Sequence, residues 1–287
     1  MIKIKDVRAI PGDSAFLIDD GTTAILYDSG FAFTGELVSQ NIMEALGNRK
    51  LDYIFLTHSH YDHALGSAYA LKHWPSAKVV AGEYCSKIFK KQSAKALMRD
   101  LDVKFAKKCG FSEYTDLIDD LKVDIPVSDG DTIIAGDMSF RAVALPGHTK
   151  CSFGFYLESE KLLLSCETLG VYDGEKNIIP SYLVGYRMTL DSIEKALALD
   201  IEKILVPHLG LMEGASCSYY LNNAKKSAVE TCREIASILK FGGIKEEAIS
   251  FFKDKFYHGK VVDAYPIDAM ELNTSIMVNL IEKELLT

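Results

Sequence analysis

The chain has 287 residues, 48% of them hydrophobic and 25% charged, with only 7 prolines; that is enough apolar sequence for a large core, without the bias of disordered or collagen-like chains. Lys and Arg number 32 against 40 Asp and Glu, a net charge of −8, which argues against a general nucleic-acid-binding surface. No apolar run approaches the ~20 residues that cross a bilayer, and the opening MIKIKDVRAIPG has no hydrophobic stretch followed by a cleavage site. The 6 cysteines form no CxxC pair and read as reduced thiols of a cytoplasmic protein.

In chain order, Ala15–Ile18 and Ala24–Tyr27 flank Asp20-Gly21 and predict a β-hairpin. Leu37, Ile42, Ala45 and Leu46 share one side of a helix that Thr34 would cap and Gly47 would end. Tyr53–Thr57 predicts a buried strand running into THSHYDH. The histidines therefore stand in a loop at a strand's C-terminal end, where open α/β sheets bind their ligands. A strand at Lys78–Ala81 leads into a helical insert over about residues 83–121. Within it, Lys87, Lys90, Lys91 and Lys95 share a helical side and read as a solvated face.

Strand patterns resume at Thr132–Ile134, Ser139–Leu145, Phe153–Leu157 and Lys161–Ser165, with turns at Asp129-Gly130 and Gly136-Asp137. A helix over Leu190–Leu199 precedes the strand Lys203–Val206 and the pair Pro207-His208. Three helices follow, Ser218–Phe241, Lys245–Tyr257 and Pro266–Leu286. Two strand-rich blocks among helices predict an α/β two-sheet sandwich over residues 1–212 and a helical tail over 213–287.

Of the 7 histidines, His58, His60 and His63 lie within six positions together with Asp62. Neutral imidazoles and a carboxylate are ligands of first-row metals, and alternate residues on an extended strand end can aim His58 and His60 at one ion. Asp62 and His63, on the turn that follows, can address a neighbouring ion.

His58-Ser59-His60-Tyr61-Asp62-His63 resembles the HxHxDH signature of the metallo-β-lactamase-fold superfamily of binuclear metallohydrolases. The resemblance continues in order through Leu145-Pro146-Gly147-His148-Thr149 and Val206-Pro207-His208, and Asp28-Ser29-Gly30 looks like the family's early aspartate turn. It implies a four-layer αββα sandwich carrying the insert and the C-terminal helical appendage. It also implies that His58, His60 and His148 hold one metal ion and Asp62, His63 and His208 a second. Asp28 would fix the metal-binding loop without touching metal. In one departure, Glu167 of Ser165-Cys166-Glu167 stands where the family places a bridging aspartate; its longer side chain would require the strand or the ions to adjust.

Two divalent ions so held would share a bridging hydroxide, with Asp62 and His63 as the candidate catalytic residues and Asp62 able to orient the nucleophile or accept a proton. Zinc is the default for an imidazole-rich set, with iron or manganese as alternatives because two carboxylates are present. The expected activity is hydrolysis of an ester-type bond in a small molecule, a thioester first and a lactone next. The helical tail is similar in length and helicity to those that cover the active site in glyoxalase II enzymes and the quinolone-signal thioesterase. Phosphodiester or phosphoester hydrolysis is the alternative chemistry, and a non-catalytic metal-bearing scaffold the alternative role. Tyr182 and Tyr186, on the segment after Glu167, are candidate substrate contacts, whereas His73 and His258 read as helix-end residues.

Overall fold

The computed structural model describes residues 2–286. Its first sheet opens as an antiparallel meander of β1 (Lys3–Asp6), β2 (Phe16–Asp19) and β3 (Ala24–Tyr27). It continues in parallel through β4 (Tyr53–Leu56), β5 (Lys78–Gly82) and β6 (Ile125–Val127). The connections dictate the change of direction. Asp20 Oδ1 accepts the N–H groups of Thr22 and Thr23 and closes a tight turn between β2 and β3. Crossovers through α1 (Gly35–Leu46), then α2 (Tyr61–Ala64) and α3 (Ser67–His73), return β4 and β5 parallel.

The insert contributes α4 (Glu83–Ile88) and α5 (Gln92–Lys108). Its helical character ends there: residues 109–117 are irregular and Ile118–Asp120 form one 3₁₀ turn. The lysine side is not uniformly solvated, because Lys95 is buried and its Nζ lies 2.9 Å from Asp119, while Lys91 lies over the Tyr84 ring.

The second sheet follows with β7 (Thr132–Ala135), β8 (Met138–Ala144), β9 (Phe153–Leu157) and β10 (Leu162–Leu164). A small ribbon of β11 (Val171–Tyr172) and β12 (Ile178–Ile179) precedes α6 (Tyr186–Leu197), β13 (Lys203–Val206) and β14 (Gly210–Glu213). The spatial order is β14-β13-β10-β9-β8-β7, antiparallel throughout except for β10 and β13, which α6 connects. The edge strand β14 and the ribbon lie outside the sequence expectation: the ribbon strands are two residues each, and β14 opens on Gly210 with only Leu211 and Met212 apolar.

Alternation along the strands builds the layers. On β3, Ile25 and Tyr27 face Phe55, Phe140 and Phe155 between the sheets, whereas Ala24 and Leu26 face Val38 and Ile42 of α1. On the far side, Leu163, Ile204 and Val206 pack under Ile193 of α6 and under Tyr220 and Ala224 of α7 (Ala215–Lys240). The result is the four-layer αββα sandwich. The tail adds α8 (Lys245–Phe256), α9 (Val261–Ala264) and α10 (Ile267–Ile281), whose own core contains Phe252, Phe256, Met277 and Val278. Among the described residues no helix is long and apolar enough to cross a membrane.

Two local details bear on the site. Thr34 precedes α1 but makes no side-chain cap; its Oγ1 instead bonds Asp13 Oδ1 at 2.6 Å. At Gly66, an added Cβ would lie 1.8 Å from the Ser29 carbonyl oxygen. Only glycine therefore lets the start of α3 close on the Asp28 turn.

Candidate metal centre

The chain leaves β4 extended, which presents His58 and His60, and then turns into the short helix α2 bearing Asp62 and His63. The turn from β8 to β9 brings His148, the 3₁₀ turn after β10 brings Glu167, and the link from β13 to β14 brings His208. The structure draws these seven side chains into two groups. His58, His60, His148 and Glu167 have ligand atoms within 4.8 Å of one another, and so do Asp62, His63, Glu167 and His208.

Glu167 belongs to both groups. Its Oε2 lies 2.8 Å from His148 Nε2, 3.6 Å from His58 Nε2 and 3.7 Å from His63 Nε2, while Oε1 lies 3.3 Å from His208 Nε2. Glu167 opens the 3₁₀ turn that follows β10, directly after the buried Cys166. Cys166 itself packs beneath the second sheet with Leu163 and Tyr220.

The histidines are oriented from behind. His63 Nδ1 is 2.8 Å from Asp28 Oδ2, His148 Nδ1 is 2.7 Å from Ser181 Oγ and 3.1 Å from its carbonyl, and His208 Nδ1 is 3.0 Å from the Gly12 carbonyl. A carbonyl or carboxylate only accepts, so these partners hold a proton on Nδ1 and turn Nε2 inward, toward the cluster. Asp28 is fully buried at φ 51, and it also accepts Thr57 N–H at 2.8 Å and Ser14 Oγ–H at 3.0 Å. Thr57 Oγ1 lies 2.9 Å from His58 Nδ1, and His58 Nε2 is buried without a hydrogen-bond partner. His208 is also left-handed, at φ 63, and its carbonyl accepts Arg8 Nη1.

Electrostatics favour a cation at the centre. Burial, together with the imidazoles of His63, His60 and His148, holds His58 well below the usual histidine range; burial and His148 do the same for His60. Burial opposes charge on His63, but Asp62 and Asp28 outweigh it and bring its pKa up to about 10. Burial also opposes charge on Glu167, yet His148 and its neighbours hold that carboxyl well below the usual range. An orphaned buried nitrogen, three further imidazoles turned inward and two carboxylates in one cluster fit divalent metal ions.

The cluster floors a cavity of about 900 Å³. Its walls come from the segment after β1, from the insert, and from α9, α10 and the residues around them. Tyr182 and Tyr186 do not line it. Tyr182 is fully buried and its ring lies 5.3 Å from that of Tyr186 in the tail's core, because α6 starts at Tyr186, four residues ahead of the expected Leu190, and turns that ring into the helix seam. His73 bonds Glu36 and His258 bonds the Lys255 carbonyl, both away from the cavity. Sequence reasoning passed over Arg8, Tyr265, Asn273 and Ile276, which do line it. No local motif marks these residues; for Asn273 and Ile276 the helical spacing of the tail was the only signal, and Arg8 and Tyr265 had none.

Comparison with known proteins agrees with this architecture. Residues 12–208 match the metallo-beta-lactamase superfamily, and the chain belongs to it. Over 189 residues it is 23% identical to the acyl-coenzyme A thioesterase MBLAC2 of Gallus gallus, a stretch covering 63% of this chain and 64% of that protein. The chain thus spans less than two thirds of that relative. Among solved structures, it is similar to a metallo-beta-lactamase family protein from Thermus thermophilus, with a TM-score of 0.62 and 18% identity over 94% of this chain and 88% of the other. A superfamily protein from Sulfolobus tokodaii gives a TM-score of 0.57 and 16% identity over 96% and 98% of the two chains. At these identities the solved structures share the fold.

Proposed function

We propose that this member of the metallo-beta-lactamase superfamily is a binuclear metal-dependent hydrolase of a small-molecule thioester, with a lactone the next substrate class, working in the cytoplasm. The observation that carries the reading is Glu167, whose two carboxylate oxygens face both histidine groups at the floor of a cavity otherwise walled largely by apolar side chains. The similarity to a protein named as an acyl-coenzyme A thioesterase supports the choice of bond.

His58, His60 and His148 would hold one ion and Asp62, His63 and His208 the other, with Glu167 shared; zinc suits this ligand set first, iron or manganese next. Metal bound there supplies Lewis-acid polarisation of a carbonyl and acidifies water at neutral pH. The chain's own residues do the rest. Asp62 Oδ2, 3.6 Å from His63 Nε2 and 3.7 Å from His208 Nε2, would orient the attacking water and take its proton. Asp28, Ser181 and Gly12 keep the imidazoles from rotating, so little reorganisation accompanies the reaction. The apolar walls exclude bulk water from the acyl carbon.

The test is elemental analysis of the purified protein alongside turnover of acyl-coenzyme A, acyl-glutathione, lactone and phosphodiester substrates. Two metal equivalents with thioester turnover are expected. Phosphodiester turnover without thioester turnover, or no metal uptake after loading, overturns the reading.

A further inference from the structure

We infer that the arm of the cavity formed by the insert helix α5 and the tail helix α10 is the binding site for the aliphatic chain of a medium- or long-chain acyl substrate, an inference that rests on the hydrolase reading above. On α10 the lining residues are Ala269, Leu272, Asn273 and Ile276. Their spacing of i, i+3, i+4 and i+7 is a single helix face, about 10 Å long. On α5 they are Leu97, Met98 and Leu101. The insert and the tail also touch directly, where Lys108 Nζ of α5 donates to the Val262 carbonyl of α9 at 3.3 Å.

The chemistry of these faces is selective. None of the charged side chains of either helix lines the cavity: Asp100 pairs with Lys104 at 2.8 Å and Glu271 with Lys253 at 3.0 Å, both elsewhere on the surface. The one polar lining residue on the two helices, Asn273, has its Nδ2–H₂ committed to the Tyr265 hydroxyl at 2.7 Å. Meanwhile Leu97 and Leu272 remain 52% and 42% exposed although both are large and apolar. Side chains of that kind, gathered on one concavity, gain most when an apolar ligand covers them.

The side chains that these two helices bring to the cavity are mainly aliphatic and suit a flexible alkyl chain, whereas its aromatic lining, Tyr61, Tyr84, Tyr172 and Tyr265, comes from other segments. His60, His148 and Glu167 line the same cavity and would receive the carbonyl, while Lys260 and Asp263 line it at α9. One cavity thus holds both the cluster, for the acyl carbon, and the α10 face, for the alkyl chain.

The experiment uses metal-loaded, full-length protein and coenzyme A esters from acetyl through octanoyl to palmitoyl. In parallel, displacement of a fluorescent fatty-acid probe by octanoate and palmitate reads the arm without any turnover. The expected result is kcat/KM rising about fourfold per added methylene over the first few, mainly through KM, with probe displacement following the same order. Ile276→Trp, which fills the arm, should lower the octanoyl-to-acetyl ratio of kcat/KM at least tenfold. Leu97→Asp, at an exposed position where folding is not in question, should do so in the same direction. Thioester turnover that is flat with chain length, with no probe displacement, overturns the inference while leaving the hydrolase reading intact. Chain-dependent fatty-acid binding that both variants weaken, without turnover of any thioester, upholds the arm and overturns the thioester reading.

Discussion

Asp28 Oδ2 lies 2.8 Å from His63 Nδ1 across 35 positions of sequence, and both side chains are fully buried. The contact fixes the ring so that Nε2 faces the metal cluster, and it is what the left-handed turn after β3 is built to deliver. Asp28→Ala should therefore lower affinity for divalent metal by about 10–100-fold without removing any proposed ligand. Competition with a chromogenic chelator reads this directly; wild-type affinity in the variant would show that His63 is positioned by other means.

His60→Ala and His148→Ala each remove one nitrogen of a pair lying 2.9 Å apart. Metal content and hydrolysis should fall together in both variants, and chelation of the wild-type protein should mimic them. Full activity in either variant would sink the metallohydrolase reading.

Glu167 spans both groups, so length and charge can be tested separately at this one position. Glu167→Gln keeps the reach and removes the charge; it should cost occupancy of at least one site. Glu167→Asp keeps the charge and shortens the reach, and should change metal stoichiometry or turnover. If both variants leave metal content and rate unchanged, Glu167 lies outside the coordination sphere.

Asp102 offers a pH test away from the metal cluster. It is buried on α5, accepting Ala32 N–H at 2.9 Å and Tyr114 O–H at 2.5 Å. Burial raises its carboxyl pKa from 3.8 to about 7 despite these two hydrogen bonds. A carboxyl raised in the folded state favours folding while protonated. That contribution is full below about pH 3.8 and is lost as pH climbs through about 7. Asp102→Asn removes the penalty of ionisation, so its stability relative to wild type should improve between pH 5 and pH 8 by on the order of a few kcal/mol. Denaturant unfolding at the two pH values measures it; an equal difference at both would show that Asp102 is not buried as a neutral acid.

Much of this site was legible because its chemistry is local. His58, His60, Asp62 and His63 share one loop, and His148 and His208 each follow a strand that periodicity reveals. The four-layer sandwich was also readable, since its central strands are apolar and regularly spaced. The cavity wall was not. Leu97, Tyr265 and Ile276 come from different segments and acquire a common role only through tertiary packing. Tyr182 and Tyr186 misled for the related reason that a loop tyrosine and a helix-seam tyrosine look alike until the start of α6 is known. Arg8 was equally silent: its contact to the His208 carbonyl joins residues 200 positions apart.

The seven clustered side chains are divided between the sheets, four following β4 and three hanging from the second sheet, with His63 Nε2 and His208 Nε2 3.2 Å apart across 145 positions. A half-assembled chain therefore owns only half a coordination sphere. The binding energy of any metal held there would be available only to the docked sandwich, and so would become part of its folding energy. Metal bound between the two sets would act as a rivet through the seam, and a chain deprived of it would lose a brace of its architecture together with its chemistry.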